Sequence, residues 1–241
     1  MTVRSAEVRY EADGLPMLSQ YFWDDAAAGL QPGIIVFPEI FGLADHALRQ
    51  AERLAGLGFA VLAADIHGDR RLIMEMEEVQ RVMGPVRADE KRIRARTNGA
   101  FDTLVQRPNV DKSKIAAIGY CYGGTMAFEL ARGGAAIRGA VGFHSNLSTL
   151  APQDAKNIKG KILACIGADD PGIPPEQRAA FEQEMREGGV DWRLHLYGGV
   201  LHSFTNPDAD KFGRPEFLRY DAGADKRSWT EMMSFFEEIF G

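Results

Sequence analysis

The chain has 241 residues, 45% of them hydrophobic and 26% charged, which is enough for one well-buried core and fits a single α/β domain over residues 1–241. Its net charge of -6 shows no basic surplus, so a nucleic-acid-binding surface is not expected, and no apolar run reaches the ~18 residues of a membrane span. Two cysteines, Cys121 and Cys165, are too few for a disulfide framework, and the stretch Met1 to Gly14 has no apolar targeting segment. The expectation is a cytoplasmic monomer in which a free thiol is available for chemistry.

Strand-like and helix-like segments alternate along the chain, the pattern of a mainly parallel sheet flanked by helices on both faces. Glu7 to Tyr10 and Met17 to Trp23 flank Asp13-Gly14 and predict a hairpin at the sheet edge. Short apolar runs then predict buried strands at Ile34 to Phe37, Ala60 to Ala63, Ile115 to Ile118, Ala140 to Phe143 and Ile162 to Ile166, with an alternating strand at Trp192 to Tyr197. Helical patterns fill the gaps: Ala44 to Leu57, Leu72 to Met83, Asp89 to Gln106, Gly123 to Arg132, Pro175 to Glu187 and Ala224 to Phe240. The basic stretch Lys91 to Arg96 falls within one of these and reads as a solvated helix face. Ligands of such sheets bind at the carboxyl ends of the strands, so the loops after the apolar runs carry the functional signal.

One of those loops is Gly119-Tyr120-Cys121-Tyr122-Gly123-Gly124, set between a strand and a helix. Gly-x-Cys-x-Gly in that context is a nucleophile elbow of the α/β-hydrolase fold with cysteine in place of serine. The following helix N-terminus favours a thiolate and offers amides to a developing oxyanion. Cys165 lies inside an apolar strand and reads as core.

A nucleophilic cysteine needs a base, and the base needs an orienting acid; in this fold the chain order is nucleophile, acid, histidine. His202 follows the last strand and occupies the base's place. His195 reads as a sheet position and His46 as a solvated residue early in a helix. His67 and His144 follow strands too early to be the base and are candidates for the pocket wall. The acid should follow Ile162 to Ile166, where Asp169 and Asp170 are equally placed. No pair of histidines has metal-ligand spacing, so neither metal nor cofactor is expected. Glu39, in Phe37-Pro38-Glu39-Ile40-Phe41-Gly42 after the first internal strand, is a carboxylate in the loop that supplies the second oxyanion amide. It reads either as solvated loop or as a group controlling the ionisation of Cys121.

Phe37 to Leu43, Gly119 to Gly124, Gly167-Ala168-Asp169-Asp170 and His202-Ser203-Phe204, in that order, resemble the dienelactone hydrolase family (carboxymethylenebutenolidases and relatives) over almost the whole chain. Arg227-Ser228-Trp229 with Phe235-Phe236 resembles one branch of it. The resemblance implies Cys121 as nucleophile, His202 as base, Asp170 rather than Asp169 as the acid, and Glu39 as the glutamate that takes the thiol proton when substrate arrives. It also implies an oxyanion hole from the Ile40 and Tyr122 amides. Family members acting on an anionic lactone carry an arginine where this chain has Asn206, and another near Arg70 in an alignment that is shifted here. The implied function is therefore cysteine-dependent hydrolysis of a small ester or lactone, with Phe41, Tyr120, His67, Arg70 and His144 as substrate-binding candidates. A thioesterase or acyltransferase with the same residues, or a silent ligand-binding relative, are the alternatives.

Overall fold

The computed structural model describes residues 2–241, and its strands form one eight-stranded sheet in the order β1-β2-β4-β3-β5-β6-β7-β8. In chain order the strands are β1 (Val3–Ala12), β2 (Leu15–Asp24), β3 (Gln31–Phe37), β4 (Ala60–Ala63), β5 (Val110–Tyr120), β6 (Gly139–Phe143), β7 (Lys161–Gly167) and β8 (Trp192–Tyr197). The helices are α1 (Asp45–Ala55), α2 (Met76–Arg87), α3 (Glu90–Val105), α4 (Tyr122–Arg132), α5 (Pro175–Glu187) and α6 (Ala222–Phe240). β1 and β2 pair antiparallel through the turn at Asp13 (φ 51) and Gly14 (φ 69), two consecutive left-handed residues that match the twist of the flanking strands. β2 meets β4 antiparallel, and every pairing from β4 to β8 is parallel. This is the expected α/β-hydrolase architecture.

Period-two alternation divides the core between the two faces of the sheet. Ile35, Phe37, Ala117 and Ile166 pack with α2 to α5 on one side. Ile34, Val36, Ile118 and Leu163 pack with α1 and α6 on the other. α1 buries Ala47, Ala51, Leu54 and Ala55 and adds His46 and Gln50 beside them, while Leu57 lies beyond its end and is exposed. α2 begins at Met76 rather than near Leu72, leaving Arg71 to Glu75 as a loop, and runs on to Arg87 with Pro85 in its last turn.

The basic stretch in α3 departs from expectation. Only Lys91 and Ala95 in it are exposed; Arg92 and Arg96, one turn apart, both grip Asp13 at 2.8 and 2.9 Å, and Arg96 is buried. They fasten α3 to the β1–β2 turn. Arg94 spans Glu129 and Asp154. Glu129 is held in turn by fully buried Arg132, which also binds Glu184 at 2.7 Å and the Leu147 carbonyl at 3.2 Å. α3, α4 and α5 are thus tied together through one buried guanidinium.

Removing one partner of a buried, hydrogen-bonded ion cluster leaves the others charged and desolvated, at a cost of roughly 3–5 kcal/mol. Arg132→Met is expected to lower unfolding stability by about that amount in urea titration.

Candidate active site

β5 runs straight into α4 with one residue between them. That residue, Cys121, has φ 56 and ψ -121, a strained conformation for a side chain with a Cβ. The turn is possible because its neighbours are glycines: a Cβ on Gly119 would lie 2.0 Å from the Gly123 carbonyl carbon, and one on Gly123 would lie 2.2 Å from the Phe37 oxygen. The thiol is therefore presented, partly exposed, at the carboxyl end of the sheet. Tyr122 is the first residue of α4, so its amide has no intrahelical partner. The Ile40 amide, in the loop after β3, likewise finds no acceptor among the described residues. Both residues line the cavity that contains Cys121.

Cys165 behaves as core: it is fully buried, and burial pushes its thiol up to about 12, only partly offset by the Tyr197 hydroxyl donating to Sγ at 3.6 Å.

His202 lies after β8, in a segment pinned on both sides: its amide donates to Phe217, and its carbonyl accepts from Arg219. Its Nδ1–H donates to Asp170 Oδ2 at 2.6 Å, leaving Nε2 for the cavity. Asp170 is buried and also accepts the Gly172 amide at 2.8 Å, whereas Asp169 is exposed. Geometry thus separates the two aspartates that chemistry alone left tied. Burial by itself would lower the His202 pKa, but the facing Cys121 and the Asp170 carboxylate outweigh it and raise the group to about 10.

Glu39 is buried rather than solvated. Its Oε1 accepts from His46 Nδ1 at 2.6 Å and from Asn206 Nδ2 at 3.2 Å. Burial pushes its carboxyl up, but His46, its own amide and Asn206 together hold it below the ordinary glutamate value. The loop turns at Ile40 and Phe41, closed by the Gly42 amide donating to the Glu39 carbonyl, so Ile40 lines the Cys121 cavity while Glu39 and Phe41 line a second one, with His46 and Asn206. His46 is accordingly buried, contrary to the solvated reading, because it and Gln50 sit one turn apart on the inner flank of α1.

The substrate-binding candidates are corrected as a group, since none of the five lines the Cys121 cavity. Phe41 stacks on Phe212 in the second cavity. Tyr120 points to the opposite face of the sheet from Tyr122 and stacks on Phe143. His67 is buried and its ring bonds to the Arg71 carbonyl, closing its own loop. Arg70 turns to Gln20 and Glu7 on the hairpin. His144 is wholly buried beneath the elbow. The cavity, about 390 Å³, is instead walled by Ile40, Met76, Ile93, Ile173 and Phe217, with Arg87 and Arg214 as its arginines.

A mainly parallel sheet with a cysteine on a strand–helix elbow, a buried aspartate after β7 and a histidine after β8 defines the class as an α/β hydrolase. The model of the dienelactone hydrolase family matches residues 19–240, and the chain belongs to that family, as a hydrolase of the ester or lactone type. It is similar to the solved structure "m3DLH", with 45% identity, 99% of both chains covered and a TM-score of 0.94. It is also similar to the "Dienelactone Hydrolase-like Promiscuous" phosphotriesterase P91 from metagenomic libraries, at 41% identity, 99% of both chains and a TM-score of 0.94. Among curated proteins, a Bradyrhizobium protein named "Probable 2-oxo-3-(5-oxofuran-2-ylidene)propanoate lactonase" is 28% identical over 80% of this chain and 81% of its own.

A histidine whose folded pKa is raised contributes stability that is complete below its unfolded value of 6.5 and lost as pH rises through about 10. The stability deficit of His202→Gln relative to the wild type, followed by urea unfolding, is expected to be largest near pH 6 and to shrink steadily toward pH 10. A pH-independent deficit contradicts the assignment.

Proposed function

We propose that the chain hydrolyses a small ester or lactone through an acyl-enzyme formed on Cys121, with His202 and Asp170 completing a triad. The observation that carries this reading is the 2.6 Å bond from His202 Nδ1 to buried Asp170, which directs Nε2 into the cavity that Cys121 enters. The Cys121 thiolate attacks the carbonyl carbon, and the oxyanion rests on the Ile40 and Tyr122 amides. Collapse of the tetrahedral adduct breaks the carbon–oxygen bond, and the leaving oxygen takes the proton of the His202 imidazolium. Neutral His202 then removes a proton from water, the hydroxide attacks the thioester, and the thiolate departs to restore the ion pair with His202. Asp170 holds the tautomer and offsets the imidazolium charge. Glu39, matching the family glutamate that takes the thiol proton when substrate arrives, lies behind the Ile40 amide and is bonded to His46 and Asn206.

Hydrolysis of a phosphotriester at the same thiol is a second reading. It is favoured by the 41% identical neighbour described as a promiscuous phosphotriesterase, and by a nucleophile and amide pair that suit a developing oxyanion on phosphorus as well as on carbon.

Release of p-nitrophenol from p-nitrophenyl acetate separates these readings when run beside diethyl p-nitrophenyl phosphate. Cys121→Ala is expected to lose about a thousandfold or more in kcat/KM, and Asp170→Asn at least about a hundredfold, with Cys165→Ala near wild type. Equal rates in wild type and Cys121→Ala on both substrates refute the reading.

A further inference from the structure

His144 is the first residue after β6 and sits at φ 41, a left-handed backbone that a side-chain-bearing residue holds only when its surroundings impose it. Those surroundings are the two halves of the candidate site. The Cys121 N–H donates to His144 Nδ1 at 3.1 Å, sharing its hydrogen with the Phe143 carbonyl at 3.0 Å. On the far side of the ring, Nε2 lies 2.8 Å from Thr205 Oγ1, three residues beyond His202. The imidazole stands edge-on to His202 at 5.0 Å and to Phe204 at 5.3 Å, and it has no exposed surface.

These contacts permit one protonation pattern. Nδ1 accepts a hydrogen bond from an amide, so it carries no proton; the ring's single hydrogen is on Nε2 and is donated to Thr205. The groups facing the ring are Cys121 from the elbow, Tyr120 from β5, His202 from the loop after β8, and His46 across from α1. Burial first, then the neighbouring His202 and His46, hold His144 well below the ordinary histidine range. A second cation 5.0 Å from the His202 ring is thereby avoided.

We propose that His144 is a positioning residue: a neutral imidazole, locked in its Nε2–H tautomer by Thr205, that joins the Cys121 backbone to the loop carrying His202 and sets the distance between nucleophile and base. The proposal rests on the pairing of Cys121 with His202 described above. It assigns His144 no contact with substrate. Its weight lies in the tautomer, because a ring protonated on Nδ1 would turn a donor toward the Cys121 N–H and push the elbow from His202.

The test is the pH dependence of Cys121 alkylation by iodoacetamide in a Cys165→Ala background, which reads the nucleophile without any ester. Thr205→Val keeps the volume but removes the acceptor. It is expected to raise the alkylation midpoint by about one pH unit and to lower kcat on p-nitrophenyl acetate about tenfold with KM within about twofold. Thr205→Ser restores both. A Thr205→Val enzyme indistinguishable from wild type overturns the proposal, and so does a Thr205→Ser enzyme as impaired as Thr205→Val, which would make the contact one of packing. Direct replacement as His144→Phe can disturb folding, so the Thr205 pair carries the test, with urea unfolding run on each variant. His202→Asn is the control for the underlying reading. If it leaves the alkylation profile untouched, the Cys121–His202 pairing itself fails; if it shifts the profile while Thr205→Val does not, the role of His144 alone fails.

Discussion

The backbone of Gly123 lies against the end of β3, so close that a single added carbon would sit 2.2 Å from the Phe37 oxygen and 2.4 Å from that of Pro38. The rest of the site depends on this approach. It brings the N-terminus of α4 beside the loop that follows β3, and so places the Tyr122 and Ile40 amides on one cavity wall. It also forces Cys121 into its left-handed turn, since no gentler path joins β5 to a helix packed that tightly. Gly119 and Gly124 extend the same constraint toward Gly123 and Ser145. Arg132, at the other end of α4, anchors the helix to α5 through Glu184 and keeps the approach from relaxing.

Around that contact the charges are arranged in two carboxylate–imidazole pairs, Asp170 with His202 and Glu39 with His46, each bonded at 2.6 Å. A buried carboxylate is tolerable only where a cation or several donors meet it. The first pair faces the Cys121 cavity and the second faces the other one. On the proposed mechanism, bare negative charge on Glu39, one residue from the Ile40 amide, would oppose a developing oxyanion. Its bonds to His46 and Asn206 both offset that charge and aim it away. Between the two pairs lies His144, uncharged, so the cluster of three imidazoles carries no more positive charge than its carboxylates can balance.

How much of this was legible in the sequence follows from what each signal measures. β4 and β8 lie at the bounds their apolar and alternating runs suggest, and α5 at those of its helical period, because burial writes itself directly into residue type. The elbow was readable because sterics demand glycine at fixed offsets from Cys121. The histidine's place after the last strand was readable because chain order fixes depth in an α/β sheet. Chain position does not tell which face a side chain takes. Tyr120 and Tyr122 flank the same cysteine, yet one joins the α1–α6 core and the other the cavity wall. His46 departs from its solvated reading for a related reason: the buried face of α1 is wide enough to take His46 and Gln50 beside Ala47, Ala51, Leu54 and Ala55. Arg92 and Arg96 looked solvated because their partner, Asp13, lies 79 and 83 residues away at a hairpin turn.

The same limit governs substrate choice, since the cavity is assembled from segments far apart in sequence: the start of α2, the loop around Asn146 to Leu150, and Arg214 to Phe217. Ile40, Ile173 and Phe217 are among its apolar walls, and the amide side chain of Asn206 is spent on Glu39. The cavity's arginines, Arg87 at the end of α2 and Arg214 against the Phe217 ring, are exposed residues. On the proposed reading an anionic group on the substrate would therefore meet an arginine at the rim and not beside the scissile bond. On the proposed mechanism the reacting carbonyl meets the Ile40 and Tyr122 amides, fixed donors that stabilise a developing oxyanion. On that mechanism the site would discriminate by the shape of the acyl group and leave recognition by arginine to the parts of the substrate farthest from Cys121.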